Sequence, residues 1–333
     1  MRRIVFVTGG AGFIGSNIVG RLARDLSLDV VVCDRLREAE LGKWRNIARH
    51  PVADMVAPEA MFDWLEKRWQ DVRAVVHMGA VSSTTEPDAD HILHSNFTLS
   101  RDLFRWCADR QRRFIYASSA ATYGDGSQGF VDRDDLASLA ALRPLNAYGW
   151  SKALFDQFAA RQAAREYRPP QWVGLKFFNV YGPNEEHKRS MKSVVAQKWP
   201  DVRDGHPLRL FQSHRNDVED GGQRRDFIYV KDCVEVIAWL LENPQVNGVY
   251  NLGTGEARSF ADLARATLRA AGRDEGDIEY TPMPPAIRDK YQYFTQADMT
   301  RLRAAGYTAP FTALEDGVAE YVRNYLAASD PHA

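Results

Sequence analysis

Tyr148-Gly149-Trp150-Ser151-Lys152 sets a phenol and an ammonium at i and i+4, one turn apart on one helix face. An isolated tyrosine titrates near pH ~10 and is a poor base in neutral water. A cation ~4 Å away, at an effective dielectric of ~20, stabilises the phenolate by ~4 kcal/mol, which is ~3 pKa units. Lys152 can therefore bring Tyr148 toward the range where it accepts a proton from an alcohol. Upstream, Ala117-Ser118-Ser119-Ala120-Ala121-Thr122-Tyr123-Gly124 follows a strand-like run, so Ser119 can hydrogen-bond the same substrate oxygen that Tyr148 deprotonates. Chance Tyr-x-x-x-Lys pairs are common, and helix decoration is the competing reading of the pair taken alone.

A second constellation points to the oxidant. Thr8-Gly9-Gly10-Ala11-Gly12-Phe13-Ile14-Gly15 lies between the first strand-like run and the first helical one. Gly9 can take the sharp turn, Gly12 lets backbone approach a pyrophosphate, and Gly15 permits close helix–sheet contact, with helix N–H groups and dipole facing the phosphates. Asp34 follows Gly15 by nineteen residues, at the end of the second strand-like run, where an acid accepts bonds from the adenosine ribose. Arg35 is a cation placed for a 2′-phosphate, with Lys43 as helper, which favours NADP while leaving NAD possible. His77-Met78-Gly79-Ala80 closes another strand at the carboxyl edge of the sheet, where small Gly79 and Ala80 let backbone lie against the cofactor. His77 reads as a packed core histidine.

The elements that must position these groups alternate in period. Strand-like apolar runs at 4–7, 30–33, 74–77, 114–117 and 173–178 are separated by helical patterns at 13–25, 58–70, 89–111 and 147–167. Short continuous apolar runs fit strands buried on both faces, and helices between them imply parallel crossovers. The expectation is α/β, a doubly wound parallel sheet. After residue 178 the rhythm breaks: 182–190 is polar and turn-rich, and 213–225 is a charged loop. Strand-like 226–230 and 248–252 could rejoin the sheet around a helix at 232–242, while 259–272 and 312–327 read as amphipathic helices.

Composition sets the outer bounds. At 333 residues, with ~150 residues per domain, the chain holds about two units. Lys+Arg is 43 and Asp+Glu 44, a formal net charge of −1, so no global basic field recruits nucleic acid. Cys33, Cys107 and Cys233 are too few and too irregularly spaced for a disulfide framework or a cysteine zinc site, and no metal is expected. No apolar run approaches the ~20 residues of a membrane helix. Met1-Arg2-Arg3 leads straight into a strand-like run, so a soluble cytoplasmic protein is expected.

The glycine turn, the strand-end serine and Tyr-x-x-x-Lys, in this order, resemble the extended short-chain dehydrogenase/reductase family. The similarity runs through essentially the whole chain, including Arg225-Asp226-Phe227-Ile228-Tyr229-Val230-Lys231-Asp232 and Asn251-Leu252-Gly253-Thr254-Gly255. It implies a Rossmann domain over 1–178 plus about 226–255. A smaller discontinuous α/β substrate domain would take about 179–225 plus 256–330. The implied substrates are nucleotide-activated sugars. Dehydratases of the family carry acids just after the serine; Ala120, Ala121 and Thr122 stand there instead and cannot act as general acids.

Four segments are similar to the branch of the family that inverts C6 of an ADP-activated heptose for lipopolysaccharide core: Val81-Ser82-Ser83-Thr84-Thr85-Glu86, Phe177-Phe178-Asn179-Val180-Tyr181-Gly182-Pro183, His187-Lys188-Arg189-Ser190-Met191 and Tyr291-Gln292-Tyr293-Phe294-Thr295-Gln296-Ala297-Asp298. By that resemblance Tyr148 and Lys188 are two acid/base groups, one for each face of C6, with binding of substrate phosphate the competing role for Lys188. It further implies that Met78, Val81, Ser82, Asn96, Val180 and Lys188 join the cofactor site. Substrate contacts would come from Ser82, Ser119, Asn179, Ser190, Gln197, Arg225 and Tyr291, with Phe211, Gln212, Ser213 and His214 at the nucleotide end. A homo-oligomer of pentameric rings is also implied. The chain departs from the family pattern at Arg35, often neutral, and at Pro58, where a second phosphate-binding lysine can occur. The 213–224 segment is also longer and more acidic than in compact relatives. Two other readings fit the residues: another NAD(P)-dependent nucleotide-sugar epimerase, such as one acting at C4 of a UDP-hexose, and a non-catalytic NADP-sensing protein.

Overall fold

The computed structural model describes residues 3–36, 42–288 and 292–333. Twelve strands form among them: β1 (Ile4–Thr8), β2 (Asp29–Cys33), β3 (Asp54–Val56), β4 (Val72–His77), β5 (Arg113–Ser119), β6 (Trp172–Phe177), β7 (Asn179–Tyr181), β8 (Leu208–Phe211), β9 (Arg224–Tyr229), β10 (Gly248–Leu252), β11 (Ala257–Ser259) and β12 (Ile278–Thr281). Seven of them make one parallel sheet in the order β10-β6-β5-β4-β1-β2-β3. The order reverses between β1 and β4, and the crevice at the carboxyl ends of those strands is where doubly wound sheets bind ligands.

Alternation within each strand sends side chains to two separate cores. Val5 and Val7 of β1, with Val30 and Val32 of β2, pack on one face. Ile4, Phe6, Val31 and Cys33 pack on the other, with Leu103, Phe104 and Phe155 from the helices. That double burial is why these strands read as unbroken apolar runs. Helix α1 (Phe13–Leu22) covers the first face, and α2 (Ala147–Ala164) helps cover the second. Asn146 accepts the Gly149 N–H at 2.8 Å, so the turn that carries Tyr148 starts from a capped end.

Two small sheets build the second unit, in the orders β11-β9-β7 and β12-β8. Its core gathers Trp199, Leu208, Phe227, Leu263, Leu268, Val318 and Tyr321. Of the two late strands considered for the main sheet, 248–252 joins it beside β6, while the 226–230 region does not: as β9 it pairs with β7 and β11. β3 had no signal in the sequence, because a three-residue edge strand with Asp54 and Met55 exposed shows no apolar run. The helical run at 89–109 contains a π-type segment at His94–Thr98, and the helix over 314–321 ends in another, Val322–Leu326. Among the described residues no helix is long and apolar enough to cross a membrane, and no His/Cys/Asp/Glu group is placed to hold a metal ion. All three cysteines are buried free thiols.

Candidate active site

At the switch point, the turn after β1 admits little but glycine. Gly9 has φ +64°, and a Cβ there would lie 2.6 Å from the Gly79 nitrogen; one on Gly15 would lie 2.0 Å from the Gly9 carbonyl oxygen. The turn is therefore pressed against both its own helix and the strand end at Gly79. Helix α1 then begins at Gly12 with no side-chain cap and no acid in its first turn among the described residues. Its first N–H groups and its dipole face the crevice undiluted, the electrostatics an anionic pyrophosphate requires.

Asp34 follows β2 directly and ties three neighbours together. Its Oδ2 accepts the Ala11 N–H at 2.9 Å, and its Oδ1 accepts the Arg35 N–H and the Lys43 ammonium, both at 2.7 Å. One lone-pair position on Oδ2 remains for a ribose hydroxyl. Arg35 points outward and pairs with Glu59 at 3.1 Å. Both line a second hollow that shares Gly9, Asp34, Lys43, Gly79, Ala80 and Val81 with the main cavity.

His77 is a core residue, as its apolar strand implied, and it also braces the pocket. Ser100 donates to the Asn96 carbonyl at 2.5 Å, so its oxygen is left to accept from His77 Nε2 at 2.9 Å. His77 Nδ1 then accepts from Thr8 Oγ1 at 2.6 Å, and Thr8 accepts the Gly79 N–H at 3.1 Å. This network assigns the neutral Nε2–H tautomer. Burial, aided by the Lys152 charge, pulls the ring down to about 3. Asn96, fully buried, accepts the Val81 N–H at 2.8 Å and donates to Val81 O and Ser151 Oγ. It stands behind the pocket wall and fixes it.

One cavity of about 510 Å³ brings most of the expected groups together. Its walls include Gly9, Gly12, Phe13, Ile14, Gly15, Asp34, Lys43, Met78, Gly79, Ala80, Val81, Ser82, Ser119, Tyr148, Val180 and Lys188. Ser119 ends β5, and Tyr148 stands in the first turn of α2, hydrogen-bonded to the Ser119 side chain. Burial pushes the Tyr148 phenol up, and that hydrogen bond works against the rise. Lys152 lies one turn behind, 5% exposed, and donates to the Ala117 carbonyl at 2.8 Å. The ammonium expected to act on Tyr148 is thus engaged with backbone in this state of the chain. Burial brings Lys152 down to about 8, against the opposing pull of Asp156.

Lys188 enters from the 182–193 loop, with its Nζ 5.0 Å from the centre of the Phe13 ring. Burial lowers its pKa, while the Glu185 carboxylate opposes that shift. Glu185 is itself fully buried and accepts the Ser193 N–H at 2.6 Å, the Ser193 hydroxyl and the Tyr321 hydroxyl at 3.0 Å. These bonds clamp the base of the loop whose tip carries Lys188.

The remaining expected substrate residues lie outside the walls of that cavity. Asn179, Ser190, Gln197, Phe211 and His214 are exposed, Gln212 and Ser213 half-buried. Gln197 donates to the carbonyls of Ser190 and Lys192. His214 and Ser213 meet the Tyr293 hydroxyl. Arg225 is buried and donates to the Arg224 and Gln292 carbonyls, with its guanidinium 5.6 Å from the Phe260 ring centre. Tyr291 lies outside the described residues.

Besides Glu185, two contributors were missed. His187 lines the cavity, with its pKa lowered to about 4 by burial and by the Lys43 and Lys188 charges; it belonged to a segment already singled out. Asn46, buried, donates to the Ala11 carbonyl of the glycine turn at 2.9 Å, and a lone asparagine in a polar stretch gives no sequence signal of that.

A model of the NAD dependent epimerase/dehydratase family matches residues 5–253. A Nitratidesulfovibrio vulgaris protein named ADP-L-glycero-D-manno-heptose-6-epimerase is 52% identical over 329 residues, covering 98% of this chain and 99% of that protein. The crystal structure of Helicobacter pylori ADP-L-glycero-D-manno-heptose-6-epimerase matches with a TM-score of 0.80 at 27% identity, covering 98% of this chain and 97% of that one. Thermus thermophilus UDP-glucose 4-epimerase, in complex with NAD, matches with a TM-score of 0.72 at 28% identity over 95% of this chain and 96% of that one.

Proposed function

We propose, from the premise that the chain belongs to the NAD dependent epimerase/dehydratase family, that it inverts C6 of ADP-D-glycero-D-manno-heptose to give the L-glycero epimer. The single observation that carries the reading is the convergence of Ser119, Tyr148 and Lys188 on one cavity with the glycine cradle. The cradle fits a nicotinamide dinucleotide: its glycines admit no side chain, and the uncapped helix end suits a pyrophosphate. When bound, that cofactor supplies the hydride acceptor and returns the hydride, so no external reductant is consumed. The cofactor is NADP in this reading, supported by Arg35 and Lys43 beside Asp34.

Tyr148 takes the proton from the C6 hydroxyl while Ser119 donates to the same oxygen. Loss of the C6 hydride leaves a planar ketone. Rotation of the side-chain carbonyl within the pocket presents its other face, and the returning hydride inverts the centre. The alkoxide oxygen then lies near a different donor, for which Lys188 is the candidate. Burial lowers its pKa, which makes its ammonium a readier proton donor than an exposed lysine.

With the β9 region moved to the smaller unit, where it pairs with β7 and β11, residues 1–178 with about 231–255 serve the cofactor, and 179–230 with 256–330 serve the sugar nucleotide. Asn179, Ser190, Gln197, Arg225 and Tyr291 would meet the substrate, with 211–214 at its nucleotide end. The product feeds the heptose of lipopolysaccharide core in the cytoplasm, and the active form is a homo-oligomer, a pentamer by resemblance. Proton NMR of ADP-D-glycero-D-manno-heptose incubated with the enzyme, beside UDP-glucose, tests the substrate. Conversion of the first alone supports the reading; conversion of UDP-glucose alone overturns it.

A further inference from the structure

Helix α2 carries a third ionisable group in line with Tyr148 and Lys152. Residues 148, 152 and 156 are four apart and share one helix face. Asp156 is fully buried. Its Oδ1 accepts the Tyr116 hydroxyl at 3.0 Å, and its Oδ2 accepts the Ser118 hydroxyl at 2.7 Å and the Lys176 ammonium at 2.8 Å. Lys176, buried on β6, donates a second bond to Thr122 Oγ1 at 2.6 Å. The Thr122 hydroxyl in turn donates to the Ser119 carbonyl at 2.8 Å.

Two arms of this network therefore close on Ser119 from opposite sides. One reaches Ser118, the residue before it on β5; the other runs through Lys176 to Thr122 in the turn after it. That turn is held against α2, since a Cβ on Gly149 would lie 2.6 Å from the Ala121 carbonyl oxygen. A buried ion pair is a weak stability device, because desolvating both charges offsets their attraction. Its charge count is informative. Asp156 is the counter-ion of Lys176 and raises the affinity of Lys152 for its proton; without it both buried ammonium groups lose that negative charge.

We propose that Asp156 is a positioning residue for the reaction: through Lys176 and Thr122 it fixes the turn that presents Ser119, and its charge keeps Lys152 an ammonium. The inference rests on the reading of Ser119, Tyr148 and Lys152 as the reacting groups. Facing the Lys152–Asp156 pair are Tyr148 from α2, Tyr116 and Ser118 from β5, Thr122 and Tyr123 from the turn, Lys176 from β6 and neutral His77 from β4. Asp132 and Asp134 add negative charge near Tyr123 and Tyr116.

The test is the pH profile of kcat for the holoenzyme, with Lys152 titrated independently through the 13Cε signals of labelled lysines in the absence of sugar. Asp156→Asn is expected to move the alkaline limb of kcat, and the Lys152 titration with it, down by about one pH unit or more; Asp156→Glu restores both. Lys176→Met removes the competing cation and moves the limb up. Thr122→Val cuts the positioning arm without changing charge: kcat falls about tenfold, while KM and both limbs stay. Wild-type kcat in Thr122→Val, or limbs that stay put or move the same way in Asp156→Asn and Lys176→Met, overturn the proposal. If Asp156→Asn yields no folded protein, Lys176→Met decides the charge arm alone, and a limb unmoved or shifted down overturns it. A wild-type enzyme inert toward the heptose defeats the reading of the substrate, while the Lys152 titration in the variants still decides this inference.

Discussion

The Lys43 ammonium sits 2.7 Å from Oδ1 of Asp34, so the acid that would hold the adenosine ribose is partly neutralised before any cofactor arrives. Arg35, the next residue, is paired with Glu59 in the same hollow. A 2′-phosphate must compete with Glu59 for that guanidinium. Glu59→Gln is therefore expected to tighten NADP relative to NAD about three- to tenfold, and Arg35→Ala to shift preference the opposite way by a similar factor. Fluorescence titration with both reduced cofactors reads the ratio, and an unchanged ratio in both variants removes Arg35 from cofactor choice.

Tyr148→Phe removes the group proposed to accept the substrate proton and leaves the ring that lines the cavity. The expected loss in kcat is about 10²- to 10⁴-fold, with cofactor binding within a few-fold of the parent. Turnover within tenfold of the parent would assign the proton transfer elsewhere.

Lys188→Met separates the two roles open to this lysine. A second acid/base group shows as a large fall in kcat with KM nearly unchanged; a charge that only holds a phosphate shows as a raised KM with kcat preserved. The acid/base outcome is expected, because burial has already moved the ammonium toward neutrality.

Stability should fall in mild acid through His77. The unfolded chain protonates this imidazole below pH about 6.5, while the folded chain resists until about 3. Across that window the unfolded state binds more protons, so stability drops as pH falls, by about 2 kcal/mol between pH 7 and 5 from this group alone. A protonated ring would also lose its acceptor toward Thr8, slackening the link to Gly79. Denaturant titrations of the parent and of His77→Gln at pH 7 and 5 should show a weaker pH dependence in the variant; equal slopes would place the acid sensitivity elsewhere.

What could be read from sequence followed the reach of the signal. β1, β2, β4, β5 and β6 were legible because burial on both faces demands unbroken apolar residues, and the glycine turn because each of its positions has its own steric reason. β3 was not, since its pairing comes from the neighbouring β2 and not from its own composition. Tyr148 and Ser119 were legible as a motif. Lys152 was found, but its engagement with Ala117 depends on how α2 leans on β5, which no spacing encodes. Asn46 and Glu185 escaped notice for the same reason: their value lies in contacts to residues distant in sequence, Ala11 and Tyr321.

The central claim is that inversion proceeds by oxidation and return of one hydride within one pocket. Substrate carrying deuterium at C6, converted in ordinary water and examined by NMR and mass spectrometry, tests it most directly. The label is expected to remain at C6 of the inverted product at full enrichment. Replacement of the deuterium by solvent hydrogen would contradict the account, because it would mean that C6 loses a proton and not a hydride.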